Sequence, residues 1–320
     1  MDSTPLLGAS SGTIILQDHP VFLRVSHSPW RFIPQNVLVF FRGLILAYLI
    51  ATAIIVANYE LTVDPNLTNW RLLFDFALIS GVMVLLYYMI TFSWTFTHLY
   101  YPDAEDIDGG IEWCIISIMS LPRNLASLRK QVYFTVFYTA TVVFSFMNTF
   151  LYWFITRPHD LETSSIAITG QGNPGKGEMW DEAPRPLADA PFSDVFGQGW
   201  LKAFSIVNLY GVTSIIMVIE ILLLNSIKRP LAIGAYILGV MILAGLYLGW
   251  ATIGHAATGV YAFFWLDKAV VGSQEAVTAY CIGFVLLAPL AFVFMQGYVS
   301  LRESLTQRRT ILQEAALLQA

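Results

Sequence analysis

Four polar side chains in this sequence are of the types that carry out nucleophilic acyl chemistry: Thr68, Asp75, Asn208 and His255. A hydroxyl, an imidazole and a carboxylate provide the nucleophile, the base and the group that orients the base. Because a hydroxyl alone is a poor nucleophile, the base must lie within about 3 Å of it. If these side chains meet, we predict Thr68 as nucleophile and His255 as base, with Asp75 or Asn208 orienting. The alternative is that His255 is an ordinary interfacial histidine and that Asp75 pairs with Arg71, earlier on the same helix.

A second pattern is a pair of opposite charges inside apolar runs. Arg42 lies about one turn from an end of the first run, and Glu220 lies about one turn from an end of the fourth. A charged side chain at bilayer depth costs at least a few kcal/mol unless it is paired or wetted. We therefore predict a buried ion pair between Arg42 and Glu220. The alternative is that each side chain reaches the membrane interface on its own.

Long apolar runs must position these side chains. The sequence is 56% hydrophobic and only 12% charged, whereas a soluble domain carries about 25% charged residues. Each run approaches the roughly 20 residues that a helix needs to cross a bilayer. The runs are continuous rather than alternating, which disfavours a barrel. We predict an all-α, polytopic transmembrane bundle with helices at Val37–Tyr59, Leu72–Thr95, Val132–Thr156, Leu201–Leu224, Ile233–Ile253 and Ala276–Val299.

The distribution of basic residues predicts how the bundle is oriented. Lys and Arg are twice as numerous in the loops on the side of the two termini, so both termini are expected to be cytoplasmic. The four polar residues considered first then lie towards the outer side, and the ion pair lies towards the cytoplasm. The expected division of the chain is a flexible cytoplasmic N-terminus (1–36), helices one to three (37–156), a polar outer loop (157–200), helices four to six (201–299) and a cytoplasmic helical tail (300–320).

Several classes of function are disfavoured by the composition. Two cysteines, Cys114 and Cys281, do not make a disulfide framework or a metal knuckle. His98 has no second histidine at ligand spacing, so we expect neither a metal nor a cofactor. No basic face is present, which argues against nucleic acid as a partner. The expected partners are membrane lipids, with a lipid ester as a candidate substrate, and the expected location is an endomembrane or the plasma membrane.

Three segments carry a resemblance to a known family. They are Asn66–Trp70 at the start of the second helix, Asn208–Glu220 in the fourth, and Tyr247–Asp267 from the fifth helix into the following turn. These segments and the helix count resemble the androgen-induced-gene family of integral membrane proteins and its Rolling stone-like relatives. The resemblance covers the helical core but not the termini or the long third loop.

The resemblance implies a six-helix fold and an intramembrane threonine hydrolase that cleaves fatty-acid esters of hydroxy fatty acids. Thr68 falls where the threonine of the family lies. The family histidine lies in the fourth helix, where residues 208–213 here read Asn-Leu-Tyr-Gly-Val-Thr and contain no histidine. Either His255 substitutes for it from the fifth helix, or the hydrolase chemistry has been lost.

Three functional hypotheses follow. The first is a membrane-embedded lipid hydrolase with an outer site. The second is a non-enzymatic scaffold or adhesion protein, which the missing histidine favours. The third is a transporter, suggested by the three-plus-three arrangement of helices and by a loose similarity of the segment 94–98 to the segment 250–255. We rank the transporter last, because the polar residues lie near the membrane faces rather than at the midplane where transporters place their sites.

Overall fold

The computed structural model describes residues 20–30, 32–63, 69–101, 110–121, 127–161, 195, 199–230 and 232–319. Every regular element in this part of the chain is helical. Along the chain the helices are α1 (Val21–Ser26), α2 (Gln35–Val63), α3 (Phe76–Tyr100), α4 (Ile111–Met119), α5 (Leu128–Leu161), α6 (Trp200–Leu224), α7 (Ile233–Thr258), α8 (Lys268–Val271) and α9 (Gln274–Gln319). Two 3₁₀ segments, Asn69–Phe74 and Phe264–Leu266, precede α3 and α8.

Six of these helices, α2, α3, α5, α6, α7 and α9, are long and apolar enough to cross a membrane. The prediction of an all-helical fold with six helices of membrane length is therefore confirmed. The last helix continues without a break to Gln319, well past the predicted end of the membrane segment. The bundle has two ends, which we call the Asp75 end and the Arg42 end after the residues that lie there.

The start of the second membrane helix differs from the prediction. We expected that helix to begin at Leu72, but Asn69–Phe74 is a 3₁₀ segment and α3 begins at Phe76. Asp75 between them has an extended backbone, and its carboxylate accepts a hydrogen bond from the N–H of Leu78 at 3.0 Å. This is an N-cap, in which a side-chain oxygen satisfies a free N–H of the first turn. Asp75 therefore ends the preceding segment and starts α3.

Two membrane helices contain π-helical segments. One lies in α5, at Tyr152–Thr156, and two lie in α6, at Asn208–Val212 and Glu220–Leu224. A π segment inserts one extra residue per turn, changes the hydrogen-bond pattern and often marks a functional position. The first two face each other at the Asp75 end, where Asn148 of α5 donates to the carbonyl of Leu209 at 2.9 Å.

The 3₁₀ segment before α3 is fastened to α7 by side-chain donors and close packing. Tyr247 donates to the carbonyl of Phe74 at 3.0 Å, and Trp250 donates to that of Leu73 at 2.9 Å. A Cβ atom placed on Gly254 would lie 2.5 Å from the Phe74 side chain. Glycine is thus the residue that lets the ring approach this helix so closely.

Part of the stretch 1–36, which we predicted to be a flexible N-terminus, forms the short helix α1, Val21–Ser26. Phe22 and Val25 of α1 are buried, and the ring of Phe22 lies 5.4 Å from that of Trp94 and 5.8 Å from that of Phe134. Burial of such aromatic and branched side chains contributes about 1.5–3 kcal/mol each. The helix α1 therefore closes the Arg42 end of the bundle. Residues 1–19 lie outside the described residues.

Candidate functional site

The predicted outer residues all map to the Asp75 end as far as they are described. Thr68 lies in the stretch 64–68, outside the described residues, so its role as nucleophile stays a prediction. The other members each have a partner of their own, described below. Within the part of the chain that the structure describes, no hydrogen bond joins any two of Asp75, Asn208 and His255.

Asp75 acts as the helix cap described above and is half-buried. Burial raises the pKa of its carboxyl group, while the N–H groups of Leu78 and Ala77 and the charge of Arg71 act in the opposite direction. Arg71 itself pairs with Glu60 across 3.8 Å. The structure thus does not form the Asp75–Arg71 ion pair that we considered as an alternative.

Asn208 and His255 are held apart by different neighbours. The amide of Asn208 accepts a hydrogen bond from the hydroxyl of Tyr48 on α2 and donates to the carbonyl of Phe204 at 2.9 Å. The imidazole of His255 stacks on Tyr261, with ring centres 3.7 Å apart. Its Nδ1 atom is buried and has no hydrogen-bond partner among the described residues.

Two small cavities lie on either side of Asp75, and we call them the Asp75 cavities. The larger encloses about 140 Å³ and the smaller about 70 Å³. The carboxyl group of Asp160 and the phenol of Tyr210 also line the larger one, whereas Tyr261, which stacks on His255, lines the smaller. The predicted residues therefore surround one end of the bundle without forming a triad among those described.

The facing π segments shape the larger cavity. The rings of Tyr152 and Tyr210 stack with centres 4.0 Å apart, and Trp153 donates to the carbonyl of Tyr210 at 2.9 Å. The carbonyl groups of Leu209 and Tyr210 lie in the π segment of α6, and both accept hydrogen bonds from side chains of α5. The periodicity of the sequence contains no sign of a π segment, so this part of the site could not be predicted.

At the opposite end the structure brings Arg42 and Glu220 together. The guanidinium donates to the Glu220 carboxylate at 2.8 Å, and both side chains are fully buried. Tyr87 and Tyr88 donate to the same carboxylate at 2.8 and 3.2 Å. Arg42 also donates to the hydroxyl of Thr95 at 2.9 Å. A buried charge pair is tolerated when further hydrogen bonds satisfy the remaining polar atoms. Here they satisfy both carboxylate oxygens and both terminal guanidinium nitrogens, whereas Nε of Arg42 has no partner among the described residues.

The same end contains a feature that the sequence did not indicate. The last carbonyl groups of a helix have no partner inside the helix and carry the negative end of its dipole. In α6 four consecutive carbonyls each accept a hydrogen bond from a different side chain. They are Ile221 with Arg302 at 3.0 Å, Leu222 with Trp30 at 2.7 Å, Leu223 with Ser28 at 2.7 Å, and Leu224 with Arg42 at 3.1 Å.

Arg302 is the residue of this group that we missed most clearly. It lies in the stretch 300–320 that we predicted as a cytoplasmic tail, yet it is 2% exposed and also donates to the side chain of Asn225 at 2.9 Å. Asn225 in turn donates to the hydroxyl of Tyr138 at 3.2 Å. The signal that could have identified Arg302 is its place on the continuous last helix, just beyond the apolar run. Among the described residues, the Arg42 end is thus a densely hydrogen-bonded network of side chains and helix-end carbonyl groups.

Two larger cavities lie on the side of the bundle, where α5, α6 and α9 contribute lining residues. The two neighbouring cavities, of about 590 Å³ and about 580 Å³, share the side chains of Phe150, Leu287 and Leu290, and we call them together the lateral groove. Residues 146–155 of α5, 214–219 of α6 and 276–298 of α9 contribute most of its lining. The polar side chains in it are few; among them, Thr149 and Ser214 hydrogen-bond to each other at 2.6 Å.

Metal chemistry finds no support in the arrangement of ligands. Among the described residues, no three His, Cys, Asp or Glu side chains lie close enough together to hold a metal ion. No protein-family model matches this sequence, no match is found among curated proteins, and no solved structure matches it. Function is therefore inferred from the side chains and cavities of this chain alone.

Proposed function

We propose that this protein is a multi-pass membrane protein that binds the acyl chain of a membrane lipid in the lateral groove. The observation that carries the proposal is the groove itself, two neighbouring and mainly apolar cavities of about 590 and about 580 Å³ on helices of membrane length. Ligand pockets typically enclose about 300–1,000 Å³ and are lined mainly by apolar side chains. Acyl chains surround any helix that crosses a bilayer, so they are the ligands available to the groove in a membrane.

The exposure of the lining supports a lipid as occupant. Phe154 is 68% exposed, and Phe294 and Ile215 are each 59% exposed. Leaving apolar surface in water costs roughly 25 cal/mol per Å². Lipid tails are as apolar as these side chains, so next to acyl chains that cost disappears.

The position of the groove also suggests where the polar end of the lipid would lie. Leu151 lines both the groove and the larger Asp75 cavity, and Trp265 of the groove directly follows Phe264 of the cavity. A chain lying in the groove would therefore have its polar end near Asp75. Apolar space that ends in a few polar groups is the usual form of a small-molecule site. With both termini inside the cell, this end would face the outer leaflet.

Filling the groove tests the proposal. Gly283 lines the groove, and no atom lies within 4 Å of a Cβ built on it, so a side chain introduced there begins in open space. We expect Gly283→Leu, purified in mild detergent, to retain less lipid than the wild type when the extract is quantified by mass spectrometry. Gly245→Leu on α7 is the matched control, since its Cβ also meets nothing within 4 Å but does not line the groove. Equal lipid retention in both variants, with equal melting temperatures, would contradict the proposal.

A second candidate function is hydrolysis of a lipid ester, as the resemblance to the androgen-induced-gene family implies. The observation that favours it is the buried Nδ1 atom of His255, which has no partner among the described residues at the end where Thr68 is expected. We expect Thr68→Ala and His255→Ala each to abolish ester hydrolysis by the purified protein. Activity that survives the threonine change excludes this mechanism. A protein that neither retains lipid nor hydrolyses esters would instead fit a scaffold or adhesion role.

A further inference from the structure

Three hydroxyl groups form a hydrogen-bonded group where α5 and α6 meet, and we call it the hydroxyl cluster. The hydroxyl oxygen of Ser214 on α6 lies 3.0 Å from that of Ser145 and 2.6 Å from that of Thr149, both on α5. The hydroxyl of Ser214 also donates to the carbonyl of Ser145 at 2.8 Å. Ser145 and Ser214 are buried, whereas Thr149 is half-buried. The cluster therefore extends from the core of the bundle towards its side.

Two members of the cluster belong to the lining of the lateral groove. Thr149 and Ser214 both line its larger cavity, whose other lining residues are apolar apart from Tyr298. Along α6, Ser214 lies four residues beyond Tyr210, which lines the larger Asp75 cavity. Four residues correspond to about 6 Å of helix. A lipid whose polar end lies near Asp75 would therefore meet the cluster with its chain, about one turn deeper in the bundle.

A count of the hydroxyl protons shows what the cluster offers to an occupant. Each hydroxyl has one proton to donate and two lone pairs that accept. All three protons have acceptors inside the cluster, since Ser214 donates to the carbonyl of Ser145 and its oxygen can accept from both Ser145 and Thr149. Of the three, only Ser214 is placed to donate to the oxygen of Thr149, so this oxygen keeps at least one lone pair that no described residue uses. The cluster thus presents an acceptor to the groove and has no proton to spare.

We infer that the lateral groove binds an acyl chain that carries a free hydroxyl group, which donates a hydrogen bond to Thr149. The inference rests on the proposed function, because it specifies which acyl chain the groove prefers. A hydroxyl surrounded by acyl chains has no water to bind, and an unpaired polar group in such surroundings is costly. Thr149 removes that cost for a group that donates. A ketone or an ester oxygen only accepts, so it gains nothing from a second acceptor.

The position of the cluster favours a hydroxylated acyl chain over a sterol. A hydroxylated acyl chain has two polar groups, one at its end and one along its length. The end can lie near Asp75 while the hydroxyl lies at Thr149, since the cavity and the cluster are about one helical turn apart. In a sterol such as cholesterol the hydroxyl is the only polar group. It would leave either Asp75 or Thr149 without a partner.

Competition between two lipids on one protein sample tests the inference. Octadecanoic acid and 7-hydroxyoctadecanoic acid are added in equal amounts to the purified protein in mild detergent, and mass spectrometry gives the ratio retained, corrected for empty micelles. A single hydrogen bond changes an equilibrium constant by about fivefold, so we expect a preference of about that size for the hydroxylated acid. The matching ketone, 7-oxooctadecanoic acid, should show no such preference over octadecanoic acid. Equal retention of the ketone and the hydroxylated acid would refute the view that the cluster acts as an acceptor.

Substitution of the threonine shows whether the preference comes from the cluster. Thr149→Val nearly keeps the shape of the side chain and removes the acceptor, so it should abolish the preference. Thr141→Val on the same helix is the matched control, because that hydroxyl donates to the carbonyl of Phe137 at 2.8 Å and does not line the groove. Partial unfolding of either variant would lower the retention of both lipids and leave their ratio unchanged. A preference that survives in Thr149→Val would mean that the cluster only holds α5 and α6 together.

The same assay separates this inference from the proposal on which it rests. If the wild type retains both acids equally, the groove binds acyl chains without reading a hydroxyl, and only the inference is overturned. If the wild type retains neither acid, the proposed function fails as well. Displacement of the hydroxylated acid by cholesterol but not by octadecanoic acid would assign the cluster to a sterol and overturn the choice of an acyl chain.

Discussion

Glu220 remains inside the bundle because three donors converge on its carboxylate. Arg42 and Tyr87 donate to one oxygen, each at 2.8 Å, and Tyr88 donates to the other at 3.2 Å. Removing one partner of a buried charge pair leaves the other charge uncompensated and typically costs about 3–5 kcal/mol. We expect Glu220→Gln or Arg42→Met alone to lower the melting temperature of the purified protein strongly. The double variant should lose less than the two single losses together.

A double-mutant cycle on thermal unfolding checks this coupling. Arg229→Met with Glu303→Gln is the matched comparison, because that pair is 3.8 Å apart and partly exposed. Such surface pairs contribute about 0–1 kcal/mol. Additive losses at Arg42 and Glu220 would refute the view that the two charges stabilise each other.

Asp75 makes the stability of the fold depend on pH with a definite sign. Burial raises the pKa of its carboxyl group above the ordinary value for aspartate. A carboxyl that holds its proton more tightly in the folded state weakens folding as the pH rises above its unfolded pKa, about 3.9. We expect the melting temperature of the wild type to fall as the pH rises from about 4 to the raised pKa of Asp75 in the folded state. Asp75→Asn keeps a capping oxygen and should lack this loss.

The measurement is a series of melting curves for both proteins across that pH range in one detergent. Other carboxyl groups titrate in both proteins equally, so only the difference between the two profiles belongs to Asp75. A difference that grows in favour of the wild type as the pH rises would have the wrong sign for this explanation.

For single polar residues, the sequence predicted the depth in the membrane better than the partner that each side chain binds. The ion pair between Arg42 and Glu220 could be predicted because both are charged residues inside apolar runs at matching depth. The hydrogen bonds of Asp75 and Asn208 could not be predicted, because their partners are a backbone N–H and a distant tyrosine rather than a charge. Arg302 was missed because its partners are carbonyl groups, which every residue possesses and no pattern distinguishes.

At the scale of elements, apolar length predicted the six membrane helices, but the short elements at their ends depend on distant contacts. The helix α1 has only six residues and is held by its packing on Trp94 and Phe134. The carbonyl of Arg24 accepts hydrogen bonds from the N–H and the hydroxyl of Ser226, far along the chain. Local periodicity carries no information about such contacts, so α1 could not be foreseen.

The junction between α7 and the 3₁₀ segment before α3 gives a test at this scale. A methyl group on Gly254 would lie 2.5 Å from Phe74, which is much closer than two carbon atoms can approach. We expect Gly254→Ala to be destabilised by about 1–3 kcal/mol, the usual effect of overpacking. Displacing Phe74 would also disturb Asp75, the next residue, and with it the cap of α3.

Gly249→Ala on the same helix is the control, since nothing lies within 4 Å of a Cβ there. Alanine favours a helix over glycine by about 1 kcal/mol in water, so this variant should be neutral or slightly stabilised. Thermal unfolding of the two variants side by side gives the comparison. Equal stability would mean that the approach of Phe74 to α7 is not tight in the folded protein.

At the scale of the whole molecule, the six membrane helices and the basic residues together give a prediction of orientation. If all six helices cross the membrane, both ends of the chain lie on one side. Within the described residues, Arg24 and Arg302 both contact the segment that follows α6, so the two ends of the bundle core also meet in the fold. Basic loops stay in the cytoplasm, which predicts that the Arg42 end is cytoplasmic and that the polar loop 157–200 is outside.

Engineered glycosylation sites test this orientation in cells. Asn66→Gln first removes the natural sequon at Asn66-Leu67-Thr68. We expect an acceptor sequence inserted within residues 162–194 to be glycosylated. The same sequence appended to either end of the chain should stay unmodified, because only the lumenal side carries the transferase. A shift on a gel that glycosidase reverses is the readout. Glycosylation at the ends but not in the loop would mean that the bundle has the opposite orientation. The Asp75 cavities and the adjoining end of the lateral groove would then lie in the cytoplasmic leaflet. The Arg42 network would face outward, contrary to the rule that basic loops stay in the cytoplasm.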